Sequence, residues 1–171
     1  PADLGYGPSG GDSNAGIGAE DVIVFVVDIV DAINLDALGQ ADAVPTDAEI
    51  SATYEGDLGA PVTLVTVNEG ATEPTTPKVT VIATGTGAPL AAGDYTGLQW
   101  AVTTWDNSQP DDTWSIAGGG VQFATMGQGT VLDALIGVPV GSRVYLEVPA
   151  DAAQGVPAFA LIIDVVGAIA S

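Results

Sequence analysis

Apolar and polar residues keep two rhythms along this chain, and both belong to β-structure. Residues 22–30 are β-branched and almost continuously apolar, as are residues 159–166, which predicts strands buried on both faces. Residues 143–148 alternate strictly, residues 79–84 alternate as well, and residues 95–105 carry aromatics spaced to one face; each predicts a strand. Two more strand-like runs, 49–54 and 62–67, flank Glu55-Gly56-Asp57-Leu58-Gly59, a turn sequence that predicts a β-hairpin. One short helix is predicted over 131–136, with Thr130 as its cap and Gly137 as its stop. Glycine-rich composition makes 1–20 a long loop, 85–93 a turn and 107–120 another loop, while the prolines of 72–77 stiffen a linker. Residues 31–45 allow a helical turn near Asp36 before Gly39 and Pro45 interrupt it. The expected fold class is mainly β (α+β), with one short helix.

The two most apolar runs belong to an internal repeat. Pro1-Ala2-Asp3 leads through Gly7 to Val24-Phe25-Val26-Val27-Asp28-Ile29, and Pro149-Ala150-Asp151 leads through Gly155 to Ala160-Leu161-Ile162-Ile163-Asp164-Val165 over a shorter loop. A plausible domain precedes the second copy and nothing precedes the first. The expectation is therefore that residues 1–33 are the final part of one folding unit, 34–77 a linker with a hairpin, and 78–171 a complete second unit.

Charge then removes several classes of function. Twenty-two acidic residues face only Lys78 and Arg143, for a net charge of −20. Nucleic-acid binding needs clustered cations, and an anionic membrane surface would repel this chain. No apolar run reaches the roughly 18–20 residues that span a bilayer. Cys and His are both absent, which excludes disulfides, thiol or imidazole chemistry and Cys/His zinc sites; no metal ligand set and no cofactor are expected. Calcium bridging by carboxylates remains open, but Asp111-Asp112 and Asp36/Asp42 are sparse and read better as solvated surface charge. The scarcity of oxidisable and basic residues suits a durable extracellular protein.

The stretch Gly137-Val138-Pro139-Val140-Gly141-Ser142-Arg143 through Val148-Pro149-Ala150-Asp151 resembles the "V-G … strand … P-P-D" segment of the FKBP-type peptidyl-prolyl isomerases. Residues 1–33 resemble the end of a second such module, as in secreted actinobacterial proteins with tandem modules. The resemblance implies a half-open antiparallel sheet around one short helix, with a dry apolar pocket that receives proline. No nucleophile or metal is needed to ease rotation about the X–Pro amide, whose barrier is about 18–20 kcal/mol.

The pocket residues carry over unevenly. No tryptophan follows Val131-Leu132-Asp133-Ala134-Leu135 where the family places its pocket floor, and Gln154 and Leu161 stand where it has aromatics. In the partial first module those aromatics survive as Tyr6 and Phe25. Two registers fit 95–114: one matches Tyr95-Thr96-Gly97 by letters, the other keeps strand length and puts Trp100 and Asp111-Asp112-Thr113-Trp114 at the pocket. The second makes Trp100, Asp111, Trp114, Phe123, Val131 and Leu132 the candidate proline pocket. The competing reading makes Trp100, Phe123 and Leu132 plain core and Asp111 a turn residue beside Pro110.

Two functions follow. A working isomerase would act on proline-containing proteins outside the cell. Alternatively, Val22, Val24, Phe25, Val26 and Val27 form a spare strand that completes a neighbour's sheet, making the chain a homo-oligomer or filament subunit with isomerase activity weak or lost. The second is the stronger expectation, because an apolar strand must be buried somewhere.

Overall fold

A computed structural model describes residues 1–29, 31–115 and 120–171. Val30, the end of the first apolar run, and residues 116–119 of the 107–120 loop lie outside the described residues. The chain divides into two units, Pro1–Asp31 and Ala32–Ser171.

The first unit is turn-rich. Short 3-10 turns at Ala2–Leu4 and Gly7–Ser9 precede a miniature hairpin of β1 (Gly11–Asp12) and β2 (Ile17–Gly18). Asp12 and Asp21 bind nearby backbone N–H groups, as turn aspartates do. The predicted strand over 22–30 is not formed: residues 21–29 pair with no strand among the described residues. A strand apolar on both faces is stable only where both faces are covered, and the described residues of this unit form no layer to cover them.

The second unit is mostly β and antiparallel. In chain order its strands are β3 (Val44–Pro45), β4 (Ala52–Glu55), β5 (Leu64–Val67), β6 (Lys78–Thr84), β7 (Tyr95–Thr104), β8 (Asp111–Asp112), β9 (Gln122–Thr125), β10 (Arg143–Val148) and β11 (Phe159–Ile169). The large sheet runs β3-β6-β10-β11-β7, and both β8 and β9 pair with the far side of β7. The most apolar strand, β11, lies between β10 and β7, as its continuous pattern requires. It skips a residue between Val165 and Gly167, so that Gly167 faces Gly97.

Alternation sorts this sheet into two faces. Leu98, Val144, Leu146, Ile163 and Val165 meet Leu90, Met126, Leu135 and Val138 from the loops on one side. Ala101, Tyr145, Ala160 and Ile162 meet Ala52, Val62, Val65 and Val67 of the β4–β5 hairpin on the other. Each large side chain so buried contributes roughly 1.5–3 kcal/mol. The hairpin was legible in sequence, and its register is Ala52 opposite Val67 through Glu55 opposite Leu64. Asn107, in the left-handed region at φ 59°, holds it down: its side chain accepts from the Val67 N–H and donates to the Val67 carbonyl.

The predicted helix is the clearest correction. Residues Val131–Leu135 form a 3-10 turn, Thr130 makes no side-chain cap, and no α-helix occurs among the described residues. Five residues cannot repay the cost of α-helix nucleation. Asp133 turns back instead to accept from the N–H groups of Gly127 (2.6 Å) and Gly129 (2.7 Å).

Candidate functional site

Residues 22–29 present the most unusual surface of the molecule. Six large apolar side chains here are exposed, from 68% at Val22 to 88% at Val26, with Val24, Phe25, Val27 and Ile29 between. Single exposed apolar residues are common, but a consecutive run marks an interaction surface. Nearby, Tyr6 and Phe25 line one open cleft of about 230 Å3 with Leu4 and Ile23. Tyr6 and Phe25, the two aromatics singled out in the sequence, are thus brought to one cleft.

The six proposed proline-pocket residues do not converge, and strand geometry explains why. Trp100 and Leu132 pack on the face that carries the 131–135 turn, whereas Trp114 packs on the hairpin face. Phe123 stands opposite Gly97, on the hairpin side of the sheet, and its ring stacks on Tyr95 at 5.0 Å. Asp111 sits exposed in β8 opposite Val102. Val131 lines an apolar cleft of about 460 Å3 with Pro77, Val148, Pro149, Gln154 and Val156, and Asp111 a separate cleft with Leu64, Val65, Val102 and Pro110. For Trp100 and Leu132 the core role holds.

Electrostatics set the remaining character of the surface. Both cations are committed inside the second unit: Lys78 approaches Glu147 at 3.5 Å, and Arg143 is buried against Asp164. Burial works to lower the Arg143 pKa, but the hydrogen bonds and charge of Asp164 outweigh it and the net direction is up. Asp106 is pulled down to about 2 by hydrogen bonds from Thr104 and then Ser108. Hydrogen bonds from Gly127 and Gly129 lower Asp133. Desolvation raises Tyr145, with Ser51 opposing. Among the described residues, no group of three or more acidic side chains is placed to hold a metal ion, and no helix is long and apolar enough to cross a membrane.

Two features escaped the sequence reading. Arg143 lies on a strictly alternating strand whose odd positions face the hairpin, a signal that its charge would be buried. The edge strand β9 left no such signal, because four residues flanked by glycines carry too little periodicity. The sequence matches no protein-family model and no curated protein.

Proposed function

We propose that this protein is a self-associating structural subunit of an extracellular assembly, built on FKBP-like modules and joined to its neighbours by strand addition. The observation that carries this is the exposed apolar run over 22–29, which pairs with no strand among the described residues. Burying six such side chains would contribute roughly 1.5–3 kcal/mol each, enough to drive association against its entropic cost. The second unit has no vacancy among its central strands, since β11 already fills the position between β10 and β7. A head-to-tail contact of this kind that does not close generates a filament.

The net charge of −20 opposes contact between copies. Assembly therefore strengthens with salt, with divalent cations, and as pH falls toward the pI of about 4.1. Sedimentation velocity across sodium chloride and calcium chloride series tests this. Species well above the 17.0 kDa monomer are expected at high ionic strength; a monomer under every condition overturns the reading.

The apolar cleft around Val131 favours a second reading, an extracellular prolyl isomerase. A prolyl-peptide assay separates the two. Under the structural reading, exchange stays near the uncatalysed tens of seconds, and acceleration proportional to protein concentration establishes the enzyme.

A further inference from the structure

The rim of the large sheet is defended at every end but one. At one side β3 is two residues long and contains Pro45, which has no N–H to offer. The part of β6 beyond β3 begins at Lys78, and the Thr46 hydroxyl occupies the Val81 carbonyl. At the other side β8 consists of two aspartates following Pro110. The covering hairpin is blunted too, because Asn107 takes both backbone groups of Val67. Among the described edge strands of this sheet, β9, Gln122-Phe123-Ala124-Thr125, lacks both charge and proline.

Its backbone is turned for pairing. The β7–β9 register continues to Asp94 and Met126, whose 3.0 Å bond from the Met126 N–H marks a hydrogen-bonded pair. Alternation then makes Thr96–Ala124 and Leu98–Gln122 hydrogen-bonded pairs, so Phe123 and Thr125 turn their N–H and C=O groups outward. Val121 belongs to the same outward set, and its N–H already bonds the Leu35 carbonyl at 2.9 Å. Leu35 of the same chain thus already occupies one group of this edge. Beyond it, no segment among the described residues pairs with Phe123 or Thr125.

We infer that the outer edge of β9 is the acceptor for residues 22–29 of a second copy, which add there as a further antiparallel or parallel strand. This rests on the self-association proposed above and names its docking surface. The donor carries a single charge, Asp28, and the acceptor none, so this pairing sets few like charges against each other where two acidic chains meet. Side chains of the donor would extend the apolar patch that Tyr95 and Phe123 begin. Among the described residues no strand pairs with the donor, and its large apolar side chains are exposed.

The chain has no cysteine, which makes directed cross-linking clean. Full-length Val24→Cys or Phe25→Cys protein is mixed with Gln122→Cys or Thr125→Cys protein under assembly conditions and oxidised. At least one of these pairs is expected to give cross-linked dimer at about tenfold the yield of the same donors with Asp111→Cys on β8 or Thr80→Cys on β6, because docking raises the effective thiol concentration. Phe123→Asp should weaken assembly by about tenfold at moderate salt, by placing a charge on the edge. Cross-linking that favours Asp111→Cys or Thr80→Cys, or that occurs only within a Val24→Cys/Gln122→Cys chain at high dilution, overturns the inference while self-association stands. Wild-type protein that never assembles overturns both.

Discussion

Arg143 grips Asp164 at two points, Nε to Oδ1 at 2.7 Å and Nη2 to Oδ2 at 2.8 Å, with both side chains 1% exposed. The same guanidinium donates to the carbonyls of Gly56 (2.8 Å) and Ala60 (3.0 Å) at the tip of the β4–β5 hairpin. One residue thus joins β10, β11 and the layer that covers them.

Removing one partner leaves a buried charge without compensation. Asp164→Ala is expected to cost about 3–5 kcal/mol, read from the urea midpoint. An Arg143→Met/Asp164→Leu double substitution should cost less than the sum of the single changes, because it leaves no orphaned charge.

Gly97 and Gly167 face each other across β7 and β11, and Ile33 fills the space that their missing side chains leave. A Cβ on Gly97 would lie 2.8 Å from Val121 and 3.1 Å from Ile33; on Gly167, 3.1 Å from Ile33. Gly167→Ala should destabilise by about 1–3 kcal/mol. Adding Ile33→Ala should recover part of that loss in a double-mutant cycle, although Ile33→Ala alone is destabilising.

Val24→Asp/Val26→Asp places two charges in the exposed run. The pair should abolish salt-induced association in sedimentation while the thermal midpoint of the 32–171 unit stays within about 2 °C, because surface substitutions away from packed sites change little. A large fall in the midpoint would show that the run is buried against its own chain.

Asp106 receives hydrogen bonds from the Thr104 and Ser108 hydroxyls, each at 2.7 Å. Its folded pKa of about 2 lies below the ordinary 3.8, so the unfolded chain binds its proton first. The stability it confers is complete above pH 3.8 and fades as pH falls through about 2. An Asp106→Asn variant should lack that part of the acid-induced loss, measured by denaturation between pH 5 and pH 2 as a flatter profile.

Strands were legible wherever many residues shared one environment. Strict alternation marked β10, a continuous apolar run marked β11, and the Gly56–Gly59 turn marked the hairpin, because each reports its own burial locally. The run over 22–30 carries the same signal as β11, yet it forms no strand among the described residues: the letters encode a need for cover on both faces, not its supply. The 131–136 prediction failed for the opposite reason, since a cap and a glycine stop describe helix ends and say nothing about whether the interior is long enough. The pocket assignment depended on which face each side chain takes. Trp100 and Trp114 fall at one pocket in the register that keeps strand length but are separated by the thickness of the sheet.

A sheet packed above by the 131–135 turn and below by the β4–β5 hairpin has most of both planes covered. Anything that meets it through backbone hydrogen bonds must approach sideways, and because proline or paired aspartates guard the other ends, the proposed assembly would extend in a single direction.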